Sequence, residues 1–279
     1  MLVTLKEILQ EAERTNTAVG AFNTPCFESL VSVIETAEKL GLPVIVEHAE
    51  VHFPYAPLKQ IGPAMVDYAC RASVPVCVHL DHGTSLEAVK EALNLGFTSV
   101  MYDASALPYE DNVKSTRQVA AYVHQQNASV EAELGSVGLA GSSQGNYTDP
   151  EQAKDFVKRT GVDALAIAFG TAHGIYARSP SLNYDVIAEV REAASLPLVM
   201  HGGSGVSDDD YKKVIQLGIR KINYYSYMGA AAYQKAAEYI DHSQGEGHLF
   251  QELSWEAQKV FCSYVERSMK LFSNLPLSK

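Results

Sequence analysis

Short runs of apolar, β-branched residues alternate along this chain with longer segments in which apolar positions recur every three or four residues. The first pattern is typical of buried strands and the second of amphipathic helices. Eight strands are predicted: "AVGAF" (18–22), "PVIVEH" (43–48), "PVCVHL" (75–80), "SVMYD" (99–103), "SVEAEL" (129–134), "DALAIAF" (163–169), "PLVMH" (197–201) and "IRKIN" (219–223). A segment of helical period follows most of them.

These strands are apolar throughout rather than alternating, which is typical of a parallel sheet covered on both faces. Eight strand and helix units in 279 residues predict the α/β class, as a (β/α)8 TIM barrel. The rival fold is a doubly wound open sheet. Its G-x-G-x-x-G fingerprint is missing after the first strand, where the chain reads "GAFNTPCFESL".

The two ends of the chain carry apolar faces of their own. The stretch "MLVTLKEILQEAERTNTAVGAF" is predicted to be an amphipathic helix followed by the first strand. "LFQELSWEAQKVFCSYVERSMKLF" is amphipathic as well and should pack on the barrel or on another subunit. We expect residues 1–279 to form a single TIM-barrel domain with a C-terminal helical tail at about 245–279.

Charge and composition exclude several classes of partner. The formal net charge is −11 and there is no basic run, which argues against nucleic acid and anionic membranes as partners. No apolar stretch is long enough to span a bilayer and no secretory signal is visible, so a cytoplasmic protein is expected. The four cysteines have no C-x-x-C spacing, which favours reduced buried thiols over a zinc site: Cys26, Cys70, Cys77 and Cys262.

Polar residues stand at the carboxyl ends of the predicted strands, where TIM barrels carry their catalytic groups. They are Asn23, Glu47, His48, Asp81, His82, Asp103, Glu133, His173, His201 and Asn223. Each alone could be a satisfied structural residue. Three histidines that converge on one rim from different strands instead predict a catalytic zinc or cobalt site with an open position. His79 should lie one layer deeper than Asp81 on the same strand face.

The turn "HGGSGVSDDD" after the seventh strand is rich in glycine and exposes backbone N–H groups. Ser207 and Asp210 form a capping-box pattern for the helix that follows. Together with the segment "INYYS" after the eighth strand, this turn predicts the phosphate site usual in barrel enzymes. A tight turn without a ligand is the alternative.

At this point the sequence resembles the class II, zinc-dependent ketose-bisphosphate aldolases, the family of fructose- and tagatose-bisphosphate aldolases. The resemblance runs from about residue 4 to residue 223 and rests on "AFN", "HLDHGTSLE", "SVMYDAS", "VEAELG", "AIAFGTAHGIY", "HGGSGVSD" and "KIN". It implies reversible cleavage of a phosphorylated ketose to dihydroxyacetone phosphate and an aldehyde. It also implies a homodimer or homotetramer.

The resemblance further implies residue roles. His82, His173 and His201 would bind Zn²⁺, Glu133 would reach the metal in an alternative position, and Asp81 would be the acid/base group. The substrate contacts would come from Asn23, Gly174, Gly202, Gly203, Ser204, Asn223, Tyr224, Tyr225 and Ser226. Some members also hold a monovalent cation, Na⁺ or K⁺, near Gly174 and Gly202. The zinc ion stabilises the carbanion of the cleaved ketose as an enediolate, so no Schiff-base lysine is needed.

Two features depart from the family pattern. The loop after the fifth strand, "GSVGLAGSSQGNYTDP", has no glutamate to serve as the second proton carrier, and Asp149 is predicted to be a helix N-cap. Tyr147, Glu133, Glu47 or a metal-bound water could take that role.

The turn "EHAEVHFPY" after the second strand is charged, where the family usually has small neutral residues. If it faces the pocket, it opposes a second phosphate and favours a substrate with a different end group. Two other functions stay open. One is a different metal-dependent sugar-phosphate enzyme, such as an epimerase or hydrolase, and the other is an inactive regulatory or scaffold subunit that binds sugar phosphates.

Overall fold

A computed structural model of the protein describes residues 1–140, 146–243 and 248–277. Within them the chain forms nine strands and ten α-helices. The strands are β1 (Leu2–Val3), β2 (Val19–Asn23), β3 (Val44–Ala49), β4 (Val76–Gly83), β5 (Ser99–Tyr102), β6 (Ser129–Leu134), β7 (Ala164–Ile167), β8 (Leu198–Met200) and β9 (Ile219–Tyr224). The helices are α1 (Leu5–Thr15), α2 (Phe27–Leu40), α3 (Leu58–Arg71), α4 (Leu86–Asn94), α5 (Tyr109–Gln125), α6 (Pro150–Thr160), α7 (Tyr184–Ala194), α8 (Asp208–Gln216), α9 (Ser226–His242) and α10 (Phe250–Phe272).

Strands β2 to β9 form a closed parallel barrel with the helices outside it. Each strand pairs with the next along the chain, and β9 pairs back with β2, where Ala21 stands opposite Asn223. All of these pairings are parallel, as the continuous apolar strands predicted. The predicted (β/α)8 TIM barrel is confirmed.

The amino-terminal end of the barrel is closed by α1, whose first turn is capped reciprocally by Thr4 and Glu7. Its apolar face packs under the barrel against inward-facing strand residues such as Ile45 and Cys77. The opposite, carboxyl-terminal rim of the barrel stays open for the candidate active site. The predicted helix starts too early, however, because Leu2 and Val3 form β1 and pair with β4. A two-residue strand shows no periodicity by which it could be recognised in the sequence.

The carboxyl-terminal helix α10 packs on α2 and the barrel through buried residues in its second half, including Phe261, Val265 and Phe272. The carbonyl of Phe272 accepts a hydrogen bond from the N–H of Ala18 at 3.0 Å, which fixes the helix end beside β2. Phe250 and Trp255, near the start of α10, are exposed. The homo-oligomer stays a prediction. Residues 244–247, around the predicted start of the C-terminal tail, lie outside the described residues.

The cysteines are all free, as expected, but they are not all buried. Cys77 faces the barrel interior, whereas Cys70 is exposed on α3. Cys70 lies on the outer side of its helix, and this orientation depends on how α3 docks rather than on its neighbours in sequence. In the described part of the chain, no helix combines the length and apolar character that crossing a bilayer requires.

Candidate active site

The three histidines predicted as metal ligands meet on the open rim of the barrel. His82 lies near the end of β4, His173 in the loop after β7, and His201 directly after β8. Their ring centroids are 4.5 to 5.8 Å apart. One ligand nitrogen from each ring lies within 4.8 Å of the other two, a spacing that suits a shared metal ion.

The backbone at His82 is strained in a way that aims its imidazole. Its φ angle is +47°, in the left-handed region that residues other than glycine rarely adopt. The pairing of β4 with β5 shifts register between Leu80 and Gly83, so His82 stands in a bulge. Bulges near active sites re-aim side chains. Here Nδ1 of His82 contacts Oδ2 of Asp103 at 2.8 Å, and Nε2 points into the cluster.

His201 is oriented by a second carboxylate. Its Nε2 contacts Oε1 of Glu131 at 2.9 Å, and its Nδ1 lies 2.8 Å from Nε2 of His82. If Asp103 and Glu131 hold the ring N–H groups, the two nitrogens that face each other are both lone-pair acceptors. Two acceptors so close together are stable only with a cation or proton between them.

The pKa values of the three histidines agree with a cluster that binds one positive charge. Burial lowers the pKa of His82, but Asp81 and Asp103 outweigh burial and raise this pKa to about 10. Burial and the neighbouring imidazoles lower the pKa of His173 to about 3. The cluster therefore accepts one charge and holds the other imidazoles neutral, as ligands of a divalent metal must be. The donor set fits a zinc ion.

Asp81 is held beside this cluster by two amides. Nδ2 of Asn23 donates to one carboxylate oxygen at 2.9 Å, and Nδ2 of Asn223 donates to the other at 3.1 Å. The second oxygen lies 3.9 Å from Nε2 of His82. Burial would raise the pKa of Asp81, but His82 and the other nearby positive groups hold it well below its usual range. Asp81 is thus an ionised base at neutral pH.

Glu133 is the other carboxyl group that borders the cluster. It is almost fully buried, and Oε1 accepts a hydrogen bond from the N–H of Val137 at 3.4 Å. Oε2 has no hydrogen-bond partner among the described residues. Burial and the nearby Asp103 raise the pKa of Glu133 to about 8. Its acid form is therefore well populated at neutral pH, and it has a free oxygen.

The glycine-rich turn and the start of α9 form one end of a cavity of about 500 Å³. Ser204 Oγ accepts a hydrogen bond from the N–H of Tyr225 at 2.9 Å, which ties the turn to the segment before α9. A Cβ on Gly203 would come within 2.6 Å of the carbonyl oxygen of Asn223, so the close approach requires glycine. The Ser207 and Asp210 pair caps α8 as predicted.

Most of the predicted site residues line this cavity. Thirteen of the fourteen do so, while His201 is fully buried in the cluster at its floor. The ring of Tyr224 contacts that of Phe22 and belongs to the core packed around the barrel, whereas Tyr225 meets His52 edge to face, with the ring centroids 5.1 Å apart. Gly202 O accepts a hydrogen bond from the hydroxyl of Tyr176 at 2.8 Å. The monovalent cation stays a prediction.

The charged turn after β3 contributes little charge to the cavity. Glu47 is fully buried below Asn23, and Glu50 accepts hydrogen bonds from the N–H and hydroxyl of Thr84. His48 contacts the carbonyl of Ala56 at 2.8 Å. Of the four residues Glu47, His48, Glu50 and His52, His52 lines the cavity. The sequence left open whether this turn faces the pocket, and the structure brings His52 to the cavity but not the two carboxylates, Glu47 and Glu50.

Comparison with known proteins agrees with this arrangement. The family described as "Fructose-bisphosphate aldolase class-II" matches residues 3–275. The chain belongs to the class II fructose-bisphosphate aldolase family. A relative in this family is the uncharacterized protein YdjI of Escherichia coli (strain K12), which is 38% identical over 282 residues and covers 98% of each chain.

Solved structures of family members superpose closely on this aldolase-family chain. The X-ray structure of the YdjI aldolase from E. coli K12 has a TM-score of 0.87 at 37% identity and covers 98% of this chain and 97% of that one. A putative fructose-1,6-biphosphate aldolase from Coccidioides immitis has a TM-score of 0.85 at 26% identity, covering 96% and 95%. The fructose-bisphosphate aldolase of Campylobacter jejuni, at 20% identity, shares the fold with a TM-score of 0.84, covering 98% and 96%.

Beneath the rim of this family member lies a charged layer in which His79 and Glu47, both noted from the sequence, meet two residues that the sequence patterns did not reveal, Glu131 and Lys221. Lys221 Nζ lies 2.9 Å from Oε2 of Glu131, 3.4 Å from Oε2 of Glu47 and 3.5 Å from Nε2 of His79. All four side chains are fully buried. The signal was available, since Glu131 and Lys221 stand two residues before the predicted Glu133 and Asn223 and so face the same way.

Proposed function

We propose that this protein is a zinc-dependent aldolase that cleaves a phosphorylated ketose into dihydroxyacetone phosphate and an aldehyde. The observation that carries the proposal is the position of Asp81, whose ionised carboxylate lies 3.9 Å from Nε2 of His82 in the three-histidine cluster. Family membership supports an aldolase, and the donor set supports a metal of the zinc type.

The metal would be held by His82, His173 and His201, with Glu133 in reach as an alternative ligand. A bound zinc ion would supply Lewis-acid stabilisation of the negative charge that develops on substrate oxygens. Asp103 and Glu131 fix the orientation of two of the three imidazoles, which keeps their ligand nitrogens aimed at one point.

Asp81 would take the first proton. Cleavage between C3 and C4 of a ketose requires the C4 hydroxyl to lose its proton as the bond breaks, while the bonding electron pair stays with C3. Asp81 is ionised, and Asn23 and Asn223 prevent its carboxylate from rotating. It can therefore accept the proton in cleavage and return it in the reverse reaction.

The second proton, which must reach C3 to complete dihydroxyacetone phosphate, is best assigned to Glu133. Of the side chains proposed from the sequence, Tyr147 does not line the cavity and Glu47 is sealed below Asn23. Glu133 lines it with Oε2 free of hydrogen bonds, and its raised pKa leaves it protonated for part of the population near pH 7. Oε2 would deliver the proton.

The phosphate would bind at the glycine-rich turn. Gly202, Gly203 and Ser204 line the cavity beside Ser226, the first residue of α9. Free N–H groups and the positive end of the helix dipole bind phosphate without a lysine or arginine. This explains how an acidic protein can hold an anionic substrate.

The experiment is an assay of metal-stripped and zinc-reconstituted protein against ketose 1-phosphates and ketose 1,6-bisphosphates, with dihydroxyacetone phosphate as the measured product. We expect release with zinc, none after chelation, and loss of at least about 100-fold in kcat for Asp81→Asn with the metal content retained. Zinc-dependent exchange of deuterium from solvent into dihydroxyacetone phosphate tests the same half-reaction without any aldehyde. A zinc-loaded protein that neither cleaves nor exchanges would contradict the proposal.

A further inference from the structure

Apart from the proposed metal, the cavity is acidic and has no fixed cation. Its charged lining consists of the carboxylates of Asp81 and Asp103 and the histidines, while Glu133 is largely in its acid form at neutral pH. No lysine or arginine of the described residues lines it, and the segment 141–145, "GSSQG", contains none in its sequence. A phosphate dianion placed away from the glycine-rich turn would therefore meet carboxylates and no fixed positive charge.

The nearest buried cation cannot serve as a phosphate ligand. Lys221 is fully buried in the layer below, with its ammonium 2.9 Å from Glu131 and 3.4 Å from Glu47. Moving it to the cavity would leave Glu131 without its cation in the barrel interior, which is costly. The charge of Lys221 is thus committed to the interior.

The lining residues from the segments after β3 and β5 offer no substitute for a cation. They include Val51, His52 and Ser105. Ser105 already donates its N–H and its hydroxyl to Oδ1 of Asp103. His52 packs edge to face on Tyr225, and burial lowers its pKa, so its ring is neutral at pH 7. Helix α9 begins beside the glycine-rich turn, at the proposed phosphate site.

We infer that the substrate carries a single phosphate, on the dihydroxyacetone phosphate half, and that the aldehyde half is not phosphorylated. This inference rests on the proposed aldolase function and narrows its substrate class. One end of the cavity is built for a phosphate from backbone N–H groups and a helix terminus. The rest of the lining presents a neutral imidazole, an aliphatic side chain and the carboxylates of Asp81 and Asp103, which suit hydroxyl groups and repel a phosphate.

The test compares matched pairs of substrates: fructose 1-phosphate with fructose 1,6-bisphosphate, and tagatose 1-phosphate with tagatose 1,6-bisphosphate. We expect kcat/KM to be at least about tenfold higher for the 1-phosphate in the better pair, since like-charge contact is unfavourable. Equal or higher kcat/KM for the bisphosphates would overturn the inference. A cation supplied to the cavity by a partner copy would also give that result.

A gain-of-function variant tests the same point in the opposite direction. Val51 lines the cavity and is 72% exposed, so a lysine there can reach into the cavity without disturbing the core. Val51→Lys should raise kcat/KM for the bisphosphate about three- to fivefold over Val51→Gln, a neutral control of similar length, and high salt should remove the gain. An equal gain for the 1-phosphate would contradict a charge-based preference.

Deuterium exchange distinguishes failure of the proposed aldolase function from failure of the single-phosphate inference. If dihydroxyacetone phosphate does not exchange in zinc-loaded protein, the proposed aldolase function fails. If it exchanges normally while bisphosphates are preferred, the aldolase function stands and the single-phosphate inference alone is wrong.

Discussion

Lys221 and Glu131 form a fully buried ion pair of 2.9 Å beneath the three-histidine cluster. The other carboxylate oxygen of Glu131 contacts Nε2 of His201 at 2.9 Å. The pair therefore links the charged interior of the barrel directly to a candidate metal ligand. A lysine in this place stabilises a carboxylate that in turn fixes the orientation of an imidazole.

Replacing this lysine should weaken both the fold and the metal site. Lys221→Met leaves Glu131 buried without its cation, and breaking a buried pair in this way costs about 3–5 kcal/mol. The free energy of unfolding of the metal-free protein, measured with urea, should fall by that amount. Zinc affinity should fall as well, because Glu131 no longer holds His201 in one orientation.

The double variant Lys221→Met/Glu131→Gln is the matched control for this pair. It removes both charges of the pair, and burial together with Asp81 raises the pKa of Glu47, the remaining neighbour of Lys221, which favours the neutral form of that carboxyl group. We expect it to recover a large part of the lost stability but not the zinc affinity. If the double variant is no more stable than Lys221→Met, then lost packing rather than lost charge explains the effect.

Acid should destabilise the protein partly through Glu131. Burial would raise the pKa of Glu131, but Lys221 and His201 outweigh burial and lower it from 4.5 to about 2. Because the unfolded chain takes up this proton first, the stabilisation is complete above about pH 5 and is lost as the pH falls towards 2. The shift corresponds to about 3 kcal/mol.

Urea unfolding of the wild type and of Glu131→Gln between pH 6 and pH 3 checks this. The stability of the wild type should fall more steeply with acid than that of the variant. Parallel pH profiles for the two proteins would show that Glu131 keeps its ordinary pKa in the fold.

Asp103 should matter for metal binding although it is not one of the three proposed metal ligands. Its Oδ2 contacts Nδ1 of His82 at 2.8 Å. Loss of such a partner typically weakens metal affinity about 10- to 100-fold. Chelator competition should show this loss for Asp103→Asn, whereas Asp209→Asn, at a side chain 94% exposed, should leave affinity unchanged. Equal affinities for the two variants would refute the role.

Gly202 should tolerate no larger residue. Its φ is +63°, and a Cβ there would lie 2.4 Å from the carbonyl oxygen of Ala172. Gly161 has a similar φ of +72° with nothing within 4 Å, so Gly161→Ala reports the backbone strain alone, about 1 kcal/mol. Gly202→Ala should lower the free energy of unfolding by more and should also raise KM for the phosphorylated substrate. Equal losses in the free energy of unfolding for Gly202→Ala and Gly161→Ala would show that the turn at Gly202 can relax to accommodate a Cβ.

The strands and the three histidines could be predicted from local patterns because a buried parallel strand is apolar along its whole length. The eight predicted strands all form, and His82, His173 and His201 meet as expected. The start of the chain could not be predicted in the same way. Leu2 and Val3 continue the apolar pattern of α1, yet they pair with β4. The backbone at the start of β4 is available for pairing there, at the amino-terminal end of the barrel.

The sequence by itself determined the (β/α)8 fold, the family, the histidine cluster and Asp81, because periodicity and strand ends follow from neighbours along the chain. Only the tertiary structure decided which charges meet. Asn23, Asn223 and Asp81 come from three different strands, and so do Glu47, Glu131 and Lys221. Barrel closure brings them within hydrogen-bonding and ion-pair distance. It turns Glu50 away from the cavity and leaves Oε2 of Glu133, a residue that lines the cavity, buried without a hydrogen-bond partner.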